Sequence, residues 1–153
     1  MDRRVRRNLQ KGMVSNIAWS GEGPLTYPAF PISDGLTSRA IATKKTVNVG
    51  EVANDADYLP ALATTRSEII IPVLDAAGEC VLGTVDVESE QPHAFDFSAQ
   101  VRLEEFARLL RPFGSADQRR ETASPTLCHV GVDRQKGGSL FRCSADECSR
   151  RGS

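Results

Sequence analysis

Two β-rich runs, "SEIIIPVL" (Ser67–Leu74) and "CVLGTVDVES" (Cys80–Ser89), flank the turn-forming stretch "DAAGE". This arrangement constrains the fold more than any other part of the sequence, because it predicts an antiparallel hairpin. Within "GTVDVESE" the polarity alternates: Val85 and Val87 point one way, and Thr84, Asp86 and Glu88 the other. A turn centred on Ala77 sets Glu68 opposite Asp86 and Arg66 opposite Glu88, so three carboxylates share one face. Parity is better fixed than the exact pairing, since a one-residue slip would invert a whole face. Like charges paired across a sheet destabilise it. Solvent, Arg66 or a cationic ligand would offset that cost, and close carboxylates can also retain a proton at a raised pKa. The plain alternative is a solvated outer face of the sheet.

Around the hairpin, "VSNIAWSG" reads as a strand, "TYPAFPIS" as an extended edge segment with two prolines, and "TVNVGEV" as another short strand. Leu36, Ala40 and Ile41 lie on one helical face, predicting a short helix from Gly35 to about Lys44. "ANDADYLPALATTR" reads as a loop with one helical turn. A second helix begins near Asp96 or Ser98, with Leu103, Phe106, Ala107 and Leu110 as its apolar stripe, and ends at Pro112 and Gly114. Three regions result: a basic segment 1–12, a folded domain 13–113, and a tail 114–153 expected to be mostly disordered because large apolar residues are sparse there.

The formal net charge of −1 conceals an asymmetry. Residues 13–113 hold seven Lys/Arg against fourteen Asp/Glu, whereas residues 1–12 hold five against one. An acidic body is a poor nucleic-acid surface, which needs clustered cations, and the basic N-terminal run reads as a solvated terminus. No apolar run is long enough to span a membrane, and the N-terminus has no apolar signal core. A cytoplasmic location is expected. Cys80, Cys128, Cys143 and Cys148 are loosely spaced in a chain of ordinary domain size, which argues against a disulfide scaffold.

The stretch "GLTSRAIATKKTVNVGEVANDADYL", followed by "TRSEIIIPVLDAAGECVLGTVDVESEQPHAFD", resembles a GAF domain over about residues 14–113. The likeness lies in a combination: the Gly-Leu-Thr helix start, the Asp-x-x-Tyr loop, Ser-Glu-Ile before a proline-containing strand, and Gly-Thr-Val-Asp-Val-Glu-Ser. It implies an α/β (α+β) fold with a central antiparallel sheet, flanking helices and a small-molecule pocket. Among GAF proteins the motifs are most similar to free methionine-(R)-sulfoxide reductases, in which equivalent acids hold the substrate's amino group. The resemblance therefore implies a ligand site at Glu68, Asp86 and Glu88, with Ser67 beside them, and turns the carboxylate face toward a pocket. A GAF domain ordinarily opens with a long helix and a strand before the part matching "VSNIAWSG". The short polar "MDRRVRRNLQKG" replaces neither, so the domain is expected to be N-terminally truncated, with a gap in its sheet.

The reductases place cysteines at positions that here hold Tyr27, Thr37 and Ala61. Sulfoxide reduction needs a thiolate to attack sulfur, and Cys80 sits at the wrong end of its strand. The expected function is thus a non-catalytic, cofactor-free sensor of an amine-bearing small molecule, independent of nucleic acid and membrane. A reductase relative is disfavoured by the missing thiols. A third reading is a degraded fragment or a dimerisation module, with Leu103 and Leu110 on the dimer helix and a homodimer as the product.

The remaining features carry less. Three carboxylates spread over two strands lack the turn-based spacing of a dedicated Ca²⁺ or Mg²⁺ site, so no metal is expected. Cys128, His129, Cys143 and Cys148 make a poor zinc set, because Cys128 and His129 are adjacent. His93 has no nucleophile partner in view, and Trp19 reads as packing at a strand end.

Overall fold

The computed structural model describes residues 12–18, 20, 27–60, 62–111, 126–133 and 140–143. Strand β1 (Met13–Ala18) and β2 (Ala29–Pro31) lead into helix α1 (Gly35–Thr43), then β3 (Val47–Val49) and a 3₁₀ turn at Val52–Asn54. The hairpin follows as β4 (Ser67–Leu74) and β5 (Val81–Ser89), then helix α2 (Phe97–Leu109), β6 (Thr126–Asp133) and β7 (Leu140–Cys143). Among the described residues these strands form one sheet in the order β2-β1-β6-β7-β5-β4-β3. All pairings are antiparallel except β1–β6 and β5–β6, which are parallel.

The expectation of disorder beyond residue 113 does not hold for two stretches. Thr126–Asp133 and Leu140–Cys143 are strands, and they occupy the sheet between β1 and β5. The gap expected from truncation is filled there: Val14 pairs with Leu127, and Gly83 with Cys143. The physical reason is local. "TLCHVGVD" and "LFRC" are rich in strand-forming residues, and β1 and β5 offer them hydrogen-bonding edges. The rest of 112–153, with Trp19, Ala61, Cys148 and residues 1–11, lies outside the described residues.

Each helix covers one face of the sheet. On one side α2 lies over Ile69, Ile71, Val73, Val85 and Val87, burying Ala107 and Leu110 among them, with Leu103 partly buried alongside. Leu110 is thus taken up by the protomer's own core, with Leu103 partly buried beside it. Asp96 caps this helix, its Oδ1 accepting from the Ala99 N–H (2.7 Å). On the other side α1 turns Leu36 and Ala40 toward Val47 and Ile70, while Ile41 joins Val14, Phe30 and Ile32. Helix α1 stops where Lys44 adopts a left-handed conformation (φ 56°). A further brace joins β3 to the loop before α2: the His93 N–H donates to the Gly50 carbonyl (2.8 Å). A Cβ on Gly50 would lie 2.2 Å from His93 Nδ1, so any other residue there would require this exposed imidazole to move.

Candidate functional site

The hairpin fixes where the carboxylates stand. Asp75 closes the turn, its N–H donating to the Cys80 carbonyl (2.9 Å) and its Oδ1 accepting from the Glu79 N–H (2.7 Å), with Gly78 in the left-handed region (φ 72°). A bulge follows at Val73/Leu74. The turn therefore centres beyond Ala77 and the register shifts by two: Glu68 pairs with Glu88, and Asp86 with Ile70. Parity is unaffected by a shift of two, so Glu68, Asp86 and Glu88 still share one face. Arg66 does not lie opposite Glu88. Its N–H donates to the Ser89 carbonyl (2.8 Å), and its guanidinium pairs with Glu51 at 2.5 Å.

One carboxylate oxygen from each of Glu68, Asp86 and Glu88 lies within 4.8 Å of the others. This face is not solvated. Glu68 is 6% exposed, Asp86 5% and the neighbouring Thr84 0%, and Glu88 is part-buried. The cover comes from α1 and from the loop of residues 51–66. Tyr58 of that loop packs with Leu36, Ala40, Val47 and Ile70. Burial holds its phenol well above the ordinary range, and the charges of Glu88, Glu68 and Asp86 push the same way. The Thr65 hydroxyl donates to Glu88 Oε2. The loop is tied to α1 by Arg39, which bonds Asp55 at 2.7 Å and reaches Asp57 at 3.4 Å. The Arg39 hydrogen bond is the main reason the Asp55 carboxyl titrates below its usual range.

Ser67 stands apart from this group. It alternates onto the opposite face, fully buried, where its Oγ donates to the Gln91 carbonyl (2.7 Å) and accepts from the Ala94 N–H (3.3 Å). It positions the 89–94 loop and does not face the carboxylates. Nothing in the residue types of Tyr58, Thr65 and Arg39 alone marks them as neighbours of the acids. The signal available for them was the Asp-x-x-Tyr loop, whose tyrosine lands over the acids. Of the positions where the reductases carry cysteine, Tyr27 packs partly buried in the β1–β2 cluster and Thr37 is buried on α1. Cys80 is held in a disulfide, which the loose spacing of the cysteines did not suggest.

Three carboxylates converging under an aromatic cover can receive a primary ammonium, which offers three donors, or a hard divalent cation. Among the described residues this is the one group of acids, histidines and cysteines close enough to hold an ion.

No protein-family model matches the chain, and no curated protein matches it. Solved structures do. The chain is similar to the type II free methionine-R-sulfoxide reductase of Thermoplasma acidophilum, with 24% identity over 72% of this chain and 84% of that one (TM-score 0.59). It is similar to the free methionine-R-sulfoxide reductase of Neisseria meningitidis in complex with its substrate, with 26% identity over 76% of this chain and 75% of that one (TM-score 0.56). A GAF domain from an Acinetobacter phosphoenolpyruvate-protein phosphotransferase matches at 16% identity over 79% of this chain and 81% of that one (TM-score 0.57). The fold is GAF-like, shared with reductases and with other GAF domains. Among the described residues no helix is long and apolar enough to cross a membrane.

Proposed function

We propose that this GAF-like domain binds an amine-bearing small molecule without transforming it, holding the ammonium on Glu68, Asp86 and Glu88. The observation that carries this reading is the convergence of three carboxylate oxygens within 4.8 Å on a covered face. A freely solvated sheet face would let such charges spread apart. Here they are gathered beneath Tyr58, in a setting of lowered dielectric where a charge-assisted hydrogen bond is stronger than at the surface. The Neisseria reductase, in complex with its substrate, shares the fold at 26% identity, which supports a small-molecule ligand for this one.

The reading that the ligand is not transformed is supported by the thiols. Tyr27 and Thr37 cannot replace a nucleophilic thiolate, and Cys80 is already oxidised. Cys80 also precedes Asp86 by six residues of extended chain, about 20 Å along the strand. A ligand ammonium seated on the carboxylates would lie far from it.

The test is a calorimetric titration of wild type and Asp86→Asn with free amino acids, methionine sulfoxide among them. Binding by wild type that weakens about tenfold or more in Asp86→Asn supports the proposal, since a hydrogen bond to a charged group is worth roughly 1.5–3 kcal/mol. Equal binding by both proteins removes the ammonium site. Thiol-dependent turnover of methionine-(R)-sulfoxide by wild type, lost in Cys80→Ser, removes the non-catalytic reading.

A further inference from the structure

Cys80 stands one residue before β5, part-exposed beside the hairpin turn, and it is bonded in a disulfide. The chain has three other cysteines, Cys128, Cys143 and Cys148, and all three lie beyond α2. Whichever of them closes the bond, it ties the start of β5 to the C-terminal segment. Cys128 falls within β6, Cys143 ends β7, and Cys148 follows five residues later. In the backbone register Cys143 stands opposite Gly83, three residues from Cys80. The bond is therefore a second tether on the pair of strands that fills the sheet between β1 and β5. The first tether is the chain itself, which reaches β6 from the end of α2 over 16 residues, 110–125.

Apart from these tethers the insert is lightly held. Among the described residues β6 meets β5 at Val87 and Glu88 alone. Its ladder with β1 shifts register between Asn16 and Ala18, and its ladder with β7 between Cys128 and His129. Strand β7 pairs with β1 at Ala18 and Phe141 alone. The hairpin is held differently. Strands β4 and β5 pair from Ser67 opposite Ser89 to Leu74 opposite Val81. On its other edge β4 pairs with β3, and α1 and α2 cover its two faces. Strand β4 keeps all of these partners when the insert leaves.

We propose that the Cys80 disulfide is a redox latch on the β6–β7 insert: closed, it holds the two strands in the sheet, and its reduction by a dithiol lets them open while β4 and its helices stay paired. The step is thiol–disulfide exchange. One thiolate of the reductant attacks a sulfur of the bond, forming a mixed disulfide and freeing one cysteine, and the reductant's second thiol then displaces the other. The dithiol becomes a disulfide, and two electrons and two protons pass to the two cysteines. Part exposure of Cys80 gives the thiolate access without unfolding. Loop closure sets the size of the effect. While latched, an opened insert remains in a closed loop of at least 19 residues, 110–128. Unlatched, it is free at one end, and chain entropy favours opening by about a hundredfold more. Opening bares the edge of β5 along Gly83–Glu88. The inference does not depend on what the carboxylates bind.

The experiment compares the full chain oxidised, reduced with dithiothreitol, and reoxidised with oxidised glutathione. Peptide mapping without reductant is expected to join Cys80 to Cys128, Cys143 or Cys148. A free Cys80 thiol in the oxidised protein would overturn the inference. The main readout is backbone hydrogen exchange by NMR, which resolves local openings strand by strand. On reduction, amides of β6 and β7 are expected to exchange about a hundredfold faster. They should also exchange at least about tenfold faster than those of β4 in the same reduced sample, and reoxidation should restore their protection. Unchanged exchange in β6 and β7 after reduction would overturn the latch. Exchange of β6, β7 and β4 at one common rate in the reduced protein would overturn it too, because the bond would then staple the whole domain. Cys80→Ser should show the reduced pattern without reductant and no further response to dithiothreitol. If that variant does not fold, the oxidised and reduced wild type decide the question alone.

Discussion

The two faces of the β4–β5 hairpin are built on the same residues' backbones, and both are covered, yet they do opposite things. Toward α2 the hairpin presents Ile69, Ile71, Val85 and Val87, whose burial removes apolar surface from water and stabilises the fold. Toward α1 it presents Glu68, Thr84, Asp86 and Glu88, whose burial costs free energy unless partners recover it. One face is optimised for packing. The other departs from that optimum, and it is on this face that we propose the ligand is held.

The largest effect should come from removing what supports both faces together. Truncation after Phe113 deletes β6 and β7, which pair with β1 and β5. It is expected to abolish cooperative thermal unfolding or to lower the melting temperature by tens of degrees. An unchanged melting temperature would mean that both faces stand without those strands.

Ile69→Ala should separate the faces next. Ile69 is fully buried on the α2 side, and its truncation should cost about 2–5 kcal/mol, read by denaturant unfolding. Ligand affinity of the folded fraction should not change. A loss of affinity comparable to the loss of stability would show that the two faces are not independent.

Asp86→Asn inverts the pattern. Binding should weaken about tenfold or more, while the unliganded protein is unchanged or stabilised by up to about 1 kcal/mol, because a like-charge contact across the strands is relieved. Marked destabilisation of the unliganded variant would make the carboxylates structural.

The smallest effect concerns the loop that covers the acids. Asp55 has its folded-state pKa lowered by Arg39. The ion pair therefore adds stability at pH above the ordinary 3.8, and that contribution is lost as pH falls through the folded-state value. With Arg39 36% exposed, solvent screens the pair, and Asp55→Asn should cost at most about 1 kcal/mol at pH 7. The difference between wild type and variant should shrink in unfolding curves taken below pH 4. A difference that persists there would place the effect in the hydrogen bond that the Asp57 N–H donates to Asp55 Oδ1 (3.1 Å) instead.

Much of this was legible in the residues. Alternation in "GTVDVESE" fixed which side chains share a face, because parity survives an error of two in register. The register itself did not follow, since the bulge at Val73/Leu74 and the turn closing at Cys80 are set by backbone geometry that several turn sequences would permit. The cover over the acids was illegible for another reason: Tyr58 and Arg39 reach the site only once α1 folds back across the sheet. The two late strands were hidden by averaging, since twelve strand residues are diluted in a forty-residue segment rich in Ser, Arg and Gly. Their partners β1 and β5 lie far away in sequence.

Among the described residues, strands β1 and β5 are joined only through β6 and β7. During synthesis, those strands leave the ribosome after everything else in the sheet. Until they do, β1 and β5 each hold an open edge, and the contacts that close β1 join positions more than 100 residues apart, as Val14 and Leu127 are. Pairings of such long range slow folding, and open edges in the interval favour association with other chains. The nascent protein should thus depend on chaperone capacity, and its refolding yield should fall steeply with concentration.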